Sequence, residues 1–223
     1  MGALKQLSRK ITRFIRGPQT LEEKLAEWRS VHQPFELRFH QQRNYRWDET
    51  VFSWQWNEVY GHLMGLKPDH FQPNQTLLDI GCGSRPCLDW FNAGRKYFVD
   101  PLLSDYCKIE AMSHYWRDKP KECLYSLPAE QMIAPLEGQC DFVSCWNVLD
   151  HTYDWRAILE NIRCYTKPGS LVCLGTDFEE GGEGHPGIDD PSYFWHFIHS
   201  HFEIAAERRD FVYREVALKL VRK

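Results

Sequence analysis

The 223-residue chain lacks several features that define other classes of protein. It has no apolar run of about 18 residues, which a membrane-spanning helix would need. Its 27 Lys and Arg do not outnumber its 31 Asp and Glu, so the overall charge gives no reason to expect a nucleic-acid partner. Its eight cysteines include no Cys-x-x-Cys pair, and no signal peptide is visible. Together these absences predict reduced thiols and a cytoplasmic protein.

Two nucleotide-binding motifs are also missing from the most distinctive segment, residues 77–86 (LLDIGCGSRP). An apolar run typical of a buried strand ends in Asp79 and a Gly-x-Gly turn, and Pro86 then predicts the start of a helix. Glycine at positions 81 and 83 tolerates a positive φ and lets a cofactor approach the backbone. A dinucleotide fingerprint would need a third glycine near position 86, and a P-loop would need Gly-Lys-Ser/Thr. The turn therefore predicts a cofactor site but disfavours both of these types.

From residue 76 onward, apolar strand-like segments alternate with helical patterns, which predicts an α/β fold with a largely parallel sheet and helices on both faces. The segments 202–207 and 216–221 indicate two paired strands that close one edge of the sheet. The other predicted strands are 76–80, 96–100, 122–126, 141–146 and 170–176, and the predicted helices are 86–93, 102–113 and 155–165.

Residues 1–75 are predicted to form a helical cap in front of a cofactor-binding domain at 76–223. Residues 4–16 form a basic amphipathic pattern, which fits either peripheral contact with an anionic membrane or packing against this domain or a partner. After the helix-breaking Gly17-Pro18, Thr20 and Glu23 predict a capping box that opens a helix through about Val31. The aromatic-rich residues 32–75 favour further helices that form a lid.

Acidic and histidine side chains follow the predicted strands, where the ligand edge of such a sheet lies. Asp100 ends the second strand, and its carboxylate could accept both hydroxyls of a ribose or merely cap the next helix. His151 follows the fourth strand and His185 lies in a glycine-rich loop, so each is a candidate general base. Asp150 could orient a histidine or act as a local cap.

Three further histidines, His196, His199 and His201, invite a metal site because the first two share a helix face. No surrounding carboxylate and histidine frame supports one. We therefore expect no metal.

Several motifs, taken in order, resemble those of the class I S-adenosylmethionine-dependent methyltransferases, particularly the type-11 group. The resemblance covers about residues 76–222, and its order along the chain is more specific than any single motif. The motifs are residues 79–83 (DIGCG), 99–101 (VDP), 127–130 (LPAE), 141–151 (DFVSCWNVLDH) and 167–170 (KPGS).

This resemblance implies a Rossmann-like three-layer sandwich, whose seven-stranded, mostly parallel sheet has an antiparallel C-terminal strand, and S-adenosylmethionine as the cofactor. Two departures stand out: Arg85 occupies the place of a frequent third glycine, and Pro128 that of a frequent acid. The second leaves adenine recognition to Glu130 or to backbone amides. The implied cofactor-binding residues are Asp79, Gly81, Cys82, Gly83, Asp100, Pro101, Ala129, Glu130, Asn147 and Val148.

The favoured function is methyl transfer by in-line displacement to a small-molecule or glycan acceptor, with oxygen as the expected target. Residues 36–40 and 44–47 weakly resemble caps of bacterial surface-polysaccharide methyltransferases, which is the reason for including glycans. One alternative is a binding or scaffold protein that keeps the fold, although the cofactor residues are intact. Another is a nicotinamide-dependent oxidoreductase, which Pro86 disfavours.

Overall fold

The computed structural model describes residues 19–43, 49–178, 186–210 and 215–223. None of the helices in these ranges is long and apolar enough to cross a membrane. The α-helices are α1 (Leu21–Glu27), α2 (Gln33–Arg43), α3 (Glu49–Trp56), α4 (Leu103–Tyr106), α5 (Glu110–Trp116), α6 (Trp155–Tyr165) and α7 (Pro191–His201). The strands are β1 (Thr76–Ile80), β2 (Arg95–Val99), β3 (Leu124–Tyr125), β4 (Cys140–Trp146), β5 (Thr166–Asp177), β6 (Phe202–Asp210) and β7 (Glu215–Arg222).

All these strands join one seven-stranded sheet in the order β3-β2-β1-β4-β5-β7-β6. The pairs between β3 and β5 are parallel, whereas β7 runs antiparallel to both β5 and β6. This arrangement confirms the predicted α/β, Rossmann-like fold with an antiparallel C-terminal strand. The strand order reverses between β1 and β4, which places the ligand-binding crevice of such a sheet at their carboxyl ends.

The sheet separates two apolar cores, because successive side chains of each strand point to opposite faces. Leu78 of β1 and Val143 of β4 contribute to the core that α6 and α7 cover. Leu77 and Phe142 contribute to the other core, which residues 56–66 of the N-terminal part and α5 cover. Part of the predicted cap thus packs directly on the sheet. The domain boundary at residue 75 stays a prediction.

Three predicted elements of the sheet domain are shorter than expected or divided, and the strand expected at 170–176 is longer, since β5 begins at Thr166. The helix expected at 86–93 is a single 3-10 turn, Cys87–Trp90. It ends at Trp90 because Phe91 adopts an extended backbone, at φ −87° and ψ 138°. Gly94, at φ +100°, then leads the chain into β2, so close to Leu77 that a Cβ there would be 2.4 Å from that side chain. The helix expected at 102–113 divides into α4 and α5, since Ile109 adopts an extended backbone. The strand expected at 122–126 keeps two residues, because a 3-10 turn takes up Lys121–Cys123.

The capping box before α1 forms as predicted, with the Glu23 amide donating to the Thr20 hydroxyl and the Thr20 amide donating to the Glu23 carboxylate. The helix does not end near Val31, however. A π-helical turn, Trp28–His32, carries it directly into α2. The basic segment 4–16 and residues 44–47 lie outside the described residues. All eight cysteines are free, which agrees with the predicted reduced thiols.

Candidate functional site

A cavity of about 490 Å³ opens at the carboxyl ends of β1, β2 and β4, beneath α2. Its size is typical of a site for a small molecule. Every residue that the sequence assigns to the cofactor lines this cavity, and His151 lines it too. These residues come from four separate strand ends, so the sheet topology brings them together.

The two glycines of the β1 turn adopt the left-handed backbone, with φ +66° at Gly81 and +62° at Gly83. A Cβ at position 81 would lie 2.3 Å from Cγ2 of Val148, and a Cβ at position 83 would lie 3.2 Å from Cε1 of His40. The expectation that the glycines leave room for a cofactor is therefore incomplete. The protein's own packing already requires glycine at position 81.

Asp100 holds this turn in place from the end of β2. Its Oδ2 accepts a hydrogen bond from the Gly83 amide at 2.9 Å, and its Oδ1 accepts one from the Leu102 amide at 2.8 Å. Burial raises the pKa of Asp100 to about 6, although both backbone hydrogen bonds favour the charged form. The carboxylate therefore caps the turn after β2 and lines the cavity as well.

Asp79 lies on the other side of the turn, and its Oδ2 is 2.9 Å from the thiol of Cys87. Burial raises its pKa to about 7 against the opposing effect of that hydrogen bond, and the charge of Asp100 raises it further. For both carboxylates, burial outweighs the hydrogen bonds that favour the charged form.

Glu130 is anchored at the far end of the cavity. Its Oε1 faces the backbone amides of Tyr153 and Asp154, at 3.3 and 3.4 Å, while its buried Oε2 has no hydrogen-bond partner among the described residues. Burial raises its pKa to about 7. The neighbouring Ala129 carbonyl accepts a hydrogen bond from Asn161 at 2.8 Å, which fixes this loop on α6.

Asn147 begins the loop after β4 with a φ of 57°, a conformation that is uncommon for a residue other than glycine. Its amide donates to the Gly175 carbonyl at 2.8 Å, which ties this loop to β5. Its side-chain nitrogen lies 3.1 Å from Nε2 of His151. The backbone conformation thus directs an amide group toward that histidine.

His151 lies between two carboxylates. Its Nδ1 is 2.8 Å from Glu36 of α2, and its Nε2 is 3.1 Å from the fully buried Asp150. Burial lowers the pKa of His151, but the hydrogen bonds and charges of Asp150 and Glu36 outweigh this effect and raise the pKa to about 10. The imidazole is therefore protonated at neutral pH. Thr176 fixes Asp150 through a contact of 3.2 Å to Oδ1.

Comparison with known proteins identifies the family to which this arrangement belongs. A family model described as a methyltransferase domain matches residues 39–211. The chain belongs to the methyltransferase domain family. The resemblance to class I S-adenosylmethionine-dependent methyltransferases is thereby confirmed, with S-adenosylmethionine as the cofactor of the domain.

Curated relatives of this methyltransferase domain differ in the reactions for which they are named. The ubiquinone biosynthesis O-methyltransferase of Hydrogenovibrio crunogenus is 29% identical over 153 residues, which are 64% of this chain and 60% of that protein. The tRNA U34 carboxymethyltransferase of Shewanella sediminis is 28% identical over 145 residues, or 63% and 41% of the two chains. The chain thus spans about two fifths to three fifths of the length of these relatives.

Solved structures share the fold at lower sequence identity. The 1,6-didemethyltoxoflavin-N1-methyltransferase of Burkholderia thailandensis has a TM-score of 0.59 at 15% identity, with 93% of this chain and 92% of that chain covered. The Haloferax volcanii putative methyltransferase, solved in complex with the activator Trm112, has a TM-score of 0.54 at 14% identity, with 82% and 97% covered. At this identity the likeness supports the fold of the methyltransferase domain alone.

The residues around the cavity fit a cationic cofactor. Asp79, Asp100 and Glu130 place three carboxyl groups along it, and the buried Oε2 of Glu130 is an acceptor without a partner among the described residues. A sulfonium with an amino group is positively charged, and its ribose and adenine offer hydrogen-bond donors. The donor and acceptor chemistry of the methyltransferase domain therefore matches S-adenosylmethionine.

Of the other histidines that the sequence singled out, the three on α7 do not line the cavity. His185 lies outside the described residues. His196, His199 and His201 lie on α7, and within the described ranges no group of three or more potential ligands is close enough to hold a metal ion.

Sequence reasoning missed the contribution of the N-terminal helix. Glu36 reaches His151, His40 Nδ1 lies 3.1 Å from the Ser84 hydroxyl, and the Trp28 indole donates to the His151 carbonyl at 2.9 Å. Each contact joins positions more than forty residues apart. The one available signal was the spacing of Glu36 and His40, which places both on the same face of α2.

Proposed function

We propose that this domain transfers a methyl group from S-adenosylmethionine to a hydroxyl oxygen of a small molecule. The observation that carries the proposal is the convergence of the predicted cofactor residues on a cavity that continues past Asn147 to a charged histidine and aromatic walls. Because this chain covers only part of the length of its curated relatives, its activity and its acceptor are inferred from the site.

The half of the cavity beside β1 and β2 would hold the cofactor. Asp100 would accept hydrogen bonds from the ribose hydroxyls. Its oxygens already accept from the turn amides, but each carboxylate oxygen can accept more than one hydrogen bond. Glu130 and Ala129 would contact the adenine. Asp79 would balance the positive charge of the ligand, and Asn147 would lie near the sulfonium.

The half of the cavity beside β4, β5 and β7 would hold the acceptor. Trp56 and Trp146 form part of its wall, with their ring centroids 6.4 Å apart. Gly175 makes room for Trp146, because a Cβ there would lie 2.6 Å from its ring. Gly175 and Ala217 also line this part of the cavity, and their small size leaves room opposite the aromatic rings. Aromatic walls over small residues favour an acceptor with a flat ring.

Methyl transfer from a sulfonium is an in-line displacement, in which positioning and exclusion of water contribute most of the rate. A hydroxyl acceptor must also lose its proton. A protonated His151 would stabilise the negative oxygen by charge, while Glu36, at 2.8 Å from the imidazole, would accept the proton. The predicted role of His151 as a neutral base stays a prediction, which requires that the imidazole first lose its own proton.

Three of the four curated relatives at this level of similarity are named ubiquinone biosynthesis O-methyltransferases, which supports oxygen as the target and a small molecule as the acceptor. No observation among the described residues supports a glycan acceptor. Contact of residues 4–16 with a membrane stays a prediction outside the described residues. The family match and the converging carboxylates favour an enzyme over a scaffold or a nicotinamide-dependent oxidoreductase.

The proposal is tested by calorimetry with S-adenosylhomocysteine and by transfer of tritium from labelled S-adenosylmethionine to 3,4-dihydroxybenzoate, aniline and glucose. We expect binding, and label on the diphenol in preference to the amine or the sugar. Asp100→Asn should weaken binding at least tenfold, whereas Asp105→Asn, on the exposed side of α4, should not. Absence of binding at millimolar ligand would refute the cofactor assignment, and label on the amine alone would refute oxygen as the target.

A further inference from the structure

A buried row of polar side chains runs beneath the glycine turn from β4 to the cofactor site. The Ser144 hydroxyl lies 2.9 Å from the Tyr60 hydroxyl, which lies 2.8 Å from the Cys87 sulfur, which in turn lies 2.9 Å from Oδ2 of Asp79. All four residues are at least 97% buried. They come from β4, the segment after α3, the 3-10 turn and β1, so the fold assembles the row.

The row can satisfy Asp79 in either protonation state, because hydroxyl and thiol hydrogens rotate freely between partners. With Asp79 charged, Tyr60 donates to Cys87 and Cys87 donates to the carboxylate. With Asp79 protonated, its carboxyl donates to Cys87, Cys87 donates to Tyr60 and Tyr60 donates to Ser144. In both states a hydrogen lies between Tyr60 and Cys87 and another between Cys87 and Asp79.

The groups around Asp79 place its change of charge near neutral pH. Burial and the negative charges of Asp100 and Asp89 raise its pKa to about 7, while the thiol and the backbone amide of Cys87 hold it down. The buried thiols of Cys82, Cys145 and Cys173 also face it. The strongest influences on this carboxyl come from burial, from Cys87 and from the neighbouring carboxylates.

We propose that Tyr60 and Cys87 are positioning residues that hold Asp79 ready to release its proton when the positively charged cofactor binds. The inference rests on the proposed function, since the ammonium and sulfonium of that cofactor supply the charge that favours the carboxylate. The proton passes to solvent, and binding is therefore coupled to pH. The Cys87 hydrogen bond favours the charged state, so its loss makes the proton harder to release.

The test is calorimetry with S-adenosylmethionine at several pH values, in buffers of different ionisation enthalpy so that released protons are counted. For the wild type we expect proton release at pH 6.5, almost none at pH 8.5, and affinity that falls about tenfold per pH unit below about 7. Asp79→Asn should remove this share of the release. The proton release that remains in this variant comes from other carboxyl groups, such as those of Asp100 and Glu130.

The variants separate the hydrogen bond from packing. Cys87→Ala should move the midpoint of the pH dependence upward by about one unit, a tenfold change in proton affinity, and Cys87→Ser should return it close to that of the wild type. Tyr60→Phe should move it in the same direction by less. Cys173→Ala serves as the control, because this buried thiol on β5 makes no hydrogen bond to Asp79, and it should leave the midpoint in place.

A midpoint that Cys87→Ala leaves unchanged, or one that Cys87→Ser moves equally far, overturns the inference. If the variants do not fold, the wild type alone decides, since equal proton release at pH 6.5 and 8.5 also overturns it. Binding with a flat pH profile rejects only this inference. Failure of the wild type to bind at any pH rejects the proposed function as well.

Discussion

Replacement of Gly81 by alanine measures how far the protein's own packing, as opposed to a ligand, requires glycine in the turn after β1. The new Cβ would stand 2.3 Å from Cγ2 of Val148 and would occupy a residue with φ +66°. Gly65 offers a matched control, since its φ is +63° and a Cβ there would meet nothing within 4 Å. The two substitutions share the backbone penalty and differ in the clash.

The magnitudes follow from these two contributions. The left-handed backbone costs about 1–2 kcal/mol with a Cβ, and reduced freedom of the unfolded chain returns about 0.4–1 kcal/mol, so Gly65→Ala should cost about 1 kcal/mol. Overpacking against Val148 adds about 2 kcal/mol at position 81. We therefore expect Gly81→Ala to cost about 3 kcal/mol and to lower the Tm about three times as far.

Urea unfolding of both variants tests this difference, and the double variant Gly81→Ala/Val148→Ala identifies its source. Removal of the Val148 methyl groups should restore part of the loss, so the two substitutions should show a coupling of about 1 kcal/mol in a double-mutant cycle. Equal destabilisation by Gly65→Ala and Gly81→Ala would refute the packing argument. Additive effects in the double variant would show that Val148 is not the cause.

Two further predictions concern the contact of α2 with the site. Glu36→Gln should lower the pKa of His151 from about 10, as read by NMR titration. A raised histidine pKa stabilises the fold below the ordinary histidine pKa of about 6.5, and this stabilisation is lost as the pH rises through about 10. The free energy of unfolding of Glu36→Gln should therefore fall furthest below that of the wild type near pH 6, and the two should agree above pH 10. A difference that does not change with pH would contradict this. Trp28→Phe keeps a ring beside Tyr153 but loses the hydrogen bond to the His151 carbonyl. Amide hydrogen exchange in residues 21–43 should therefore become about fivefold faster, which corresponds to about 1 kcal/mol. An unchanged exchange rate would contradict this prediction.

The sequence indicated those parts of the fold whose causes are local. β1 and α6 have the predicted bounds. An apolar run between turn residues indicates β1, and an apolar stripe at helical spacing that follows the N-cap Asp154 indicates α6. The helix predicted at 86–93 is wrong because the chain becomes extended at Phe91 and then passes close to Leu77 at Gly94, a contact between distant positions that no local helix signal records.

The same distinction applies to the candidate site. The predicted cofactor residues follow strand ends, and the parallel topology alone brings strand ends to one edge. The partners that determine charge could not be predicted in this way. Glu36 is 115 positions from His151, and Tyr60 is 27 positions from Cys87. The periodicity of apolar residues in the sequence does not predict which face of a helical cap contacts which loop.

The position of β7 has a consequence for how the chain assembles during synthesis. In the sheet, β7 lies between β5 and β6, although it follows both in the chain. Among the described residues, β6 pairs only with β7. It therefore has no neighbouring strand until Glu215–Arg222 has emerged from the ribosome. Until then the edge of β5 and both edges of β6 expose unpaired backbone groups. We therefore expect nascent chains that stall before β7 to require chaperones, while the parallel half of the sheet can already form.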